Sequence, residues 1–141
     1  MSTTARITWA ENALFIGESG SGHTVTMDGA PDVGGHDLAA RPMEMVLIGM
    51  GGCTAIDVVS MLKKQRQDVR GMAIELVAER AEEPPKVFTQ VKLIYRVRGK
   101  GLNRALIERA VALSEDKYCS ATAMIRKTAT VTHEVVLEEV T

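Results

Sequence analysis

The chain has 141 residues, 45% apolar and 25% charged, and its 17 basic and 18 acidic side chains leave a net charge of −1. That balance excludes a disordered or fibrous chain and offers no electrostatic basis for binding nucleic acid or an anionic membrane. The length suits a single domain, 1–141, with a core that needs no disulfide staple.

Residues 1–40 read as short strands and turns. Ile7 to Trp9, Ala13 to Ile16 and His23 to Met27 are the apolar runs, with a turn-rich break at Gly17–Gly22, a turn at Asp28-Gly29 and a loop at Gly34–Asp37. The opening MSTTARITWA has no basic region leading into an apolar run, so no secretion signal is expected.

From Pro42 the pattern becomes that of a central helix, 42–66. Between Met43 and Leu62 the only charges are Glu44 and Asp57, which predicts a helix buried nearly all round. Pro42 suits its first turn, and Lys63, Lys64 and Arg66 suit its C-terminal dipole. Glycines at 49, 51 and 52 lower helix propensity and allow another backbone to approach closely. The longest nearly uncharged stretch, Met45 to Ile56, is short for a bilayer span, so a cytoplasmic protein with no membrane partner is expected.

A β-hairpin follows at 71–98. Met72, Ile74, Leu76 and Ala78 alternate with polar residues, as do Val87, Val91, Leu93, Tyr95 and Val97, and Glu82–Pro85 makes the connection. Helices are expected at 102–127. The first is capped by Asn103 and buries Leu102, Ala105, Leu106, Ala110 and Leu113; the second starts near Ser120. A closing strand, 128–139, carries Val131, His133, Val135 and Leu137 on one face. The order is that of an α+β fold with a mostly antiparallel sheet. A helix apolar on every side needs a second cover, which a homodimer supplies most simply.

Chemistry concentrates on two cysteines. Cys53 lies mid-helix and taken alone reads first as a buried structural thiol. Asp57, at i+4 on the same face, is costly in an apolar helix unless paired and would raise the thiol pKa, so a thiolate here needs a cation nearby. Cys119 lies just before Ser120, and if Ser120 begins a helix its N-terminus favours thiolate; Lys117 and Arg126 would help, while Glu115 and Asp116 would oppose, so structural and reactive readings of this thiol both stand. His23, His36 and His133 have no second ligand at metal-site spacing, and Gly17–Gly22 lacks the Lys-Ser/Thr of a phosphate loop. No metal and no cofactor are expected.

Taken together, the two cysteine contexts resemble the OsmC/Ohr family of osmotically inducible and organic hydroperoxide resistance proteins, most of all its YhfA-like branch. The first carrying segment is Arg41-Pro42-Met43-Glu44-Met45 leading through Gly49-Met50-Gly51-Gly52-Cys53-Thr54-Ala55-Ile56-Asp57-Val58-Val59. The second, Leu113-Ser114-Glu115-Asp116-Lys117-Tyr118-Cys119-Ser120-Ala121, places its cysteine 66 residues later.

The resemblance implies an intertwined homodimer with sheets wrapped around long buried central helices and active sites at the subunit interface. It also implies a thiol peroxidase. Cys53 would attack an organic hydroperoxide and become a sulfenic acid, Cys119 would resolve it as a disulfide, and a lipoyl-type dithiol would restore both thiols. Peroxidase members place an arginine in an N-terminal loop, held by a glutamate just after the helix-opening proline. Here that loop is Gly17–Gly22, without arginine, and Met43 follows Pro42. Glu44 lies nine residues from Cys53, about half a turn away in azimuth at ~100° per residue, so it is not expected in the same pocket. Arg6 and Arg41 are possible substitutes, with Glu44 and Asp57 as supporting residues. The alternative reading is a non-catalytic dimer that binds a small apolar or thiol-reactive ligand between subunits.

Overall fold

The computed structural model describes residues 2–141. The strands are β1 (Ala5–Glu11), β2 (Leu14–Ser19), β3 (Thr24–Met27), β4 (Asp68–Arg80), β5 (Phe88–Lys100) and β6 (Thr130–Glu139). The helices are α1 (Pro42–Lys64), α2 (Arg104–Leu113) and α3 (Ser120–Ile125), with a short 3-10 turn at Pro31–Val33 and a π-helical turn at Ser114–Tyr118. This is the α+β class and the element order the sequence predicts. The strands form two three-stranded sheets rather than one, β1-β2-β3 and β4-β5-β6. The chain divides into two compact units, one ending at Ile48 and one comprising Gly49–Thr141.

In the first unit β1, β2 and β3 pair antiparallel. Their register aligns Ile7 with Gly17 and Val25, and Trp9 with Phe15 and Met27, so one face of the sheet is apolar. Ile7, Trp9 and Val25 on that face are exposed. Ile7, Phe15, Met27, Asp28, Val33 and Pro42 line an open cavity of about 580 Å³. The loop beyond β3 is organised by buried Asp28, whose carboxylate accepts backbone N–H groups from Gly29 at 2.8 Å, His36 at 3.0 Å and Leu38 at 3.2 Å.

In the second unit β4 and β5 form the predicted hairpin and β6 joins β5 parallel. The parallel pairing needs a crossover, which α2, the π turn and α3 supply. Inward residues fall into rows across the three strands: Ala78–Val91–Val131, Leu76–Leu93–His133, Ile74–Tyr95–Val135 and Met72–Val97–Leu137. Val91, Leu93, Tyr95 and Val97 are almost inaccessible to solvent and make the centre of the core.

Helix α1 is not buried all round within the chain. Only Met50, Gly51, Thr54, Val58 and Leu62 are buried, while Val46, Ile48 and Ile56 are exposed. Of its glycines only Gly51 meets a close neighbour: a Cβ there would lie 2.9 Å from Leu76 Cδ1, whereas Gly49 and Gly52 have open space. The helix also exceeds the Met45–Ile56 stretch: it runs for 23 residues, and an 18-residue window within it has a mean hydropathy of 1.8, long and apolar enough to cross a membrane by composition. The core helix of a globular protein passes the same test, and Thr54 hydrogen-bonds into the second unit's core.

The predicted face of α2 is also corrected. Ile107, Ala110 and Val111 are its buried residues, whereas Ala105 and Leu113 are exposed. Asn103 caps it as predicted, accepting the Leu106 N–H at 3.1 Å. The cap fixes where the helix starts, and the i, i+3, i+4 stripe from Ile107 then points to the sheet.

Candidate functional site

Cys53 is half-buried on α1, and Cys119 is 3% exposed at the N-cap of α3. The π turn delivers the second thiol: the Cys119 N–H donates to the Ser114 carbonyl at 2.7 Å, closing a wider turn than an α-helix allows. The Cys119 sulfur accepts the Thr122 N–H at 3.4 Å and the Thr122 hydroxyl at 3.1 Å. Burial pushes the Cys119 thiol up; the Thr122 bonds work against that, and the nearby Cys53 thiol adds to the rise. The two cysteines, remote in sequence, are both free thiols.

A chain of polar side chains runs beside them. Ser114 donates to Asp57 Oδ2 at 2.9 Å, and its Oγ lies 2.7 Å from Thr54 Oγ1. Thr54 Oγ1 lies 3.0 Å from the Tyr95 hydroxyl, which donates to Glu115 Oε2 at 2.7 Å. Glu115 Oε1 in turn lies 3.0 Å from His133 Nδ1. Burial, above all, pushes the Tyr95 phenol up, so it serves as a donor throughout the ordinary pH range. Among the described residues every buried side-chain nitrogen or oxygen has a partner, which a polar chain in a core requires. Asp57, expected to need pairing, is paired with a serine hydroxyl.

The remaining predicted residues are held elsewhere. Glu44 Oε1 accepts the Arg41 N–H at 2.8 Å, the returning half of a capping box at the start of α1. Arg6 sits on β1 opposite Glu18, on the face away from Ile7 and Trp9. Arg126 donates to the Glu115 carbonyl at 2.9 Å and pairs with Asp116 at 3.0 Å, and Lys117 lies over the Tyr118 ring. Among the described residues no Lys or Arg is hydrogen-bonded or ion-paired to either sulfur. His23 binds Ser21, and among the described residues no group of three or more His, Cys, Asp and Glu side chains is placed to hold a metal.

The sequence profile of the OsmC-like protein family matches residues 34–134. Protein YhfA of Escherichia coli is 49% identical over 129 residues, covering 92% of this chain and 93% of the relative. The chain belongs to the OsmC family. Among solved structures, a hypothetical protein from Aquifex aeolicus is similar at 28% identity with a TM-score of 0.82, covering 99% of both chains. An organic hydroperoxide resistance protein from Legionella pneumophila shares the OsmC fold at 20% identity with a TM-score of 0.69, over 96% of this chain and 97% of that one.

Reading residue by residue misses three members of this polar chain, Thr54, Ser114 and Tyr95, and takes Glu115 only as a charge opposing a Cys119 thiolate. Their signal is a polar group at an apolar position. Thr54 interrupts the stripe Met50, Val58, Leu62, and Ser114 extends the stripe of Ile107, Ala110 and Val111. His133 stands among Val131, Val135 and Leu137 in the same way.

Proposed function

We propose that this OsmC protein is a dithiol peroxidase that reduces organic hydroperoxides, acting as a homodimer in the cytoplasm. The Cys53 thiolate attacks the distal oxygen of the hydroperoxide; the O–O bond breaks, the alkoxide takes a proton and leaves as the alcohol, and the sulfur keeps one oxygen as sulfenic acid. The Cys119 sulfur then attacks the Cys53 sulfur, water leaves, and a disulfide remains. A lipoyl-type dithiol reduces that disulfide by exchange and becomes a cyclic disulfide itself.

The observation that carries this reading is the tie between the elements that bear the two thiols: Ser114 bonds to Thr54 and Asp57 beside Cys53 on α1 and accepts the Cys119 N–H. Burial pushes the Cys119 thiol up, and a resolving thiol needs proximity rather than ionisation at rest, so Cys119 suits that role. The description of the Legionella relative as an organic hydroperoxide resistance protein supports the substrate class. The dimer is supported by the uncovered apolar face of β1–β3, by exposed Val46, Ile48 and Ile56 on α1, and by the open space at Gly49 and Gly52.

One observation favours a second reading, a non-catalytic dimer holding a small apolar or thiol-reactive ligand: among the described residues neither thiol has a cation bonded to it. Steady-state consumption of tert-butyl hydroperoxide with dihydrolipoamide decides between them. Turnover in the wild type and none in Cys53→Ser supports the peroxidase. Equal rates in the two proteins, or no turnover in either, leave the ligand-binding reading.

A further inference from the structure

We infer that Ser114 is a positioning residue that locks Cys119 against Cys53, with its side chain on one thiol's helix and its backbone on the other thiol's residue. This rests on the reading above only in taking Cys53 and Cys119 as a pair that forms a disulfide. Ser114 is fully buried. Its hydroxyl bonds to Thr54 at 2.7 Å and donates to Asp57 at 2.9 Å, and these residues sit immediately after Cys53 and one turn beyond it on α1. Its carbonyl accepts the Cys119 N–H at 2.7 Å and closes the π turn.

The other groups around the thiols do different work. Thr122 binds the Cys119 sulfur with both its donors, but it belongs to α3 and fixes only the local orientation of that side chain. Tyr95 and Arg126 hold Glu115, by side chain and carbonyl respectively, and so anchor the π turn to the sheet and to α3. Ser114 is the residue of this turn that bonds directly to α1 beside Cys53. Without its hydroxyl the turn keeps its anchor on Tyr95 but loses its register against that helix.

Register matters because a disulfide forms only when the sulfurs can close to ~2.05 Å in a restricted geometry. The equilibrium of the pair against an external thiol measures how often they are so placed. In glutathione buffers the balance is one glutathione disulfide plus two protein thiols giving two glutathione thiols plus the Cys53–Cys119 disulfide.

The test equilibrates the full-length protein in glutathione buffers, quenches with an alkylating agent and reads the disulfide fraction by mass. Ser114→Ala is expected to lower the equilibrium constant about tenfold, which makes the pair ~30 mV less reducing. Ser114→Thr, which keeps a hydroxyl, is expected to stay near wild type. With one equivalent of hydroperoxide, Ser114→Ala is also expected to accumulate a Cys53 sulfenic acid that dimedone traps.

Equal constants for wild type and Ser114→Ala, a loss in Ser114→Thr as large as in Ser114→Ala, or a wild type that forms no intramolecular disulfide would each overturn the proposal. Should Ser114→Ala fail to fold by circular dichroism, Asp57→Asn takes its place. It keeps an acceptor without the charge, and a smaller shift in the same direction is expected, with no shift counting against the clamp. A tenfold difference in glutathione from a protein that consumes no hydroperoxide would sink the peroxidase reading and leave the clamp standing.

Discussion

Tyr95 joins three parts of the second unit through one oxygen: its ring fills the centre of the sheet, while its hydroxyl meets Thr54 on α1 and Glu115 on the π turn. Tyr95→Phe keeps the ring and removes the shared donor, leaving Glu115 Oε2 without its hydroxyl partner in a buried site. Stability is expected to fall by about 1–3 kcal/mol in urea denaturation, and a loss under about 0.5 kcal/mol would contradict this role for the hydroxyl. These polar residues were hard to read from the chain because each bonds to a residue far off in sequence. The sequence marks where Thr54 and Ser114 break an apolar stripe, but not that the two breaks meet. The cysteines were legible for the opposite reason, since their local contexts resemble one family's.

Elements were legible where the chain's own chemistry sets their ends. Pro42 and Glu44 start α1, and Asn103 starts α2. The C-terminus of α1 closes differently from the basic last turn alone: Arg66 adopts a left-handed φ of 58°, with its N–H on Lys63 and the Gln67 N–H on Leu62. That is the geometry of a glycine-type helix stop occupied by arginine. Arg66→Gly is expected to stabilise the protein by about 0.5–1 kcal/mol, seen as a later thermal midpoint; a lower midpoint would show that the arginine side chain contributes more than the strain costs. The buried face of α2 was not legible, because Leu102, Leu106 and Leu113 make as good an apolar stripe as the one the sheet selects.

The loop beyond β3 depends on a charge. Three backbone N–H bonds, with that of His36 the largest influence, hold the Asp28 carboxyl below its usual 3.8. Its folded pKa is therefore below its unfolded one. The stability it contributes is present above about pH 4 and is lost as pH falls through the depressed folded value. Asp28→Asn is expected to be less stable than wild type at neutral pH and to converge on it in acid. A gap between the two that stays constant from pH 7 to pH 2.5 would contradict this.

At the scale of the whole molecule, the chain leaves large apolar side chains uncovered, among them Trp9 at 66% exposed and Ile56 at 74%. Such exposure on a sheet face and a central helix is expected to be covered by a second copy. Sedimentation equilibrium is expected to give a dimer for the wild type and a 15.3 kDa species for Ile56→Glu. A monomeric wild type at micromolar concentration would contradict the dimer. The sequence raises the same expectation from a helix apolar on every side, and among the exposed apolar side chains of the structure are Val46, Ile48 and Ile56 of α1 and Ile7, Trp9 and Val25 of the β1–β3 sheet.

The proposed peroxidase rests on Cys53 and Cys119 cycling as a redox pair driven by an organic hydroperoxide. Its most direct measurement is the intact mass of the reduced protein before and after one equivalent of tert-butyl hydroperoxide, with Cys53→Ser alongside. Such a pair predicts the loss of two hydrogens per chain in the wild type and an unchanged mass in Cys53→Ser. An unchanged wild-type mass, or the same change in both proteins, would contradict it.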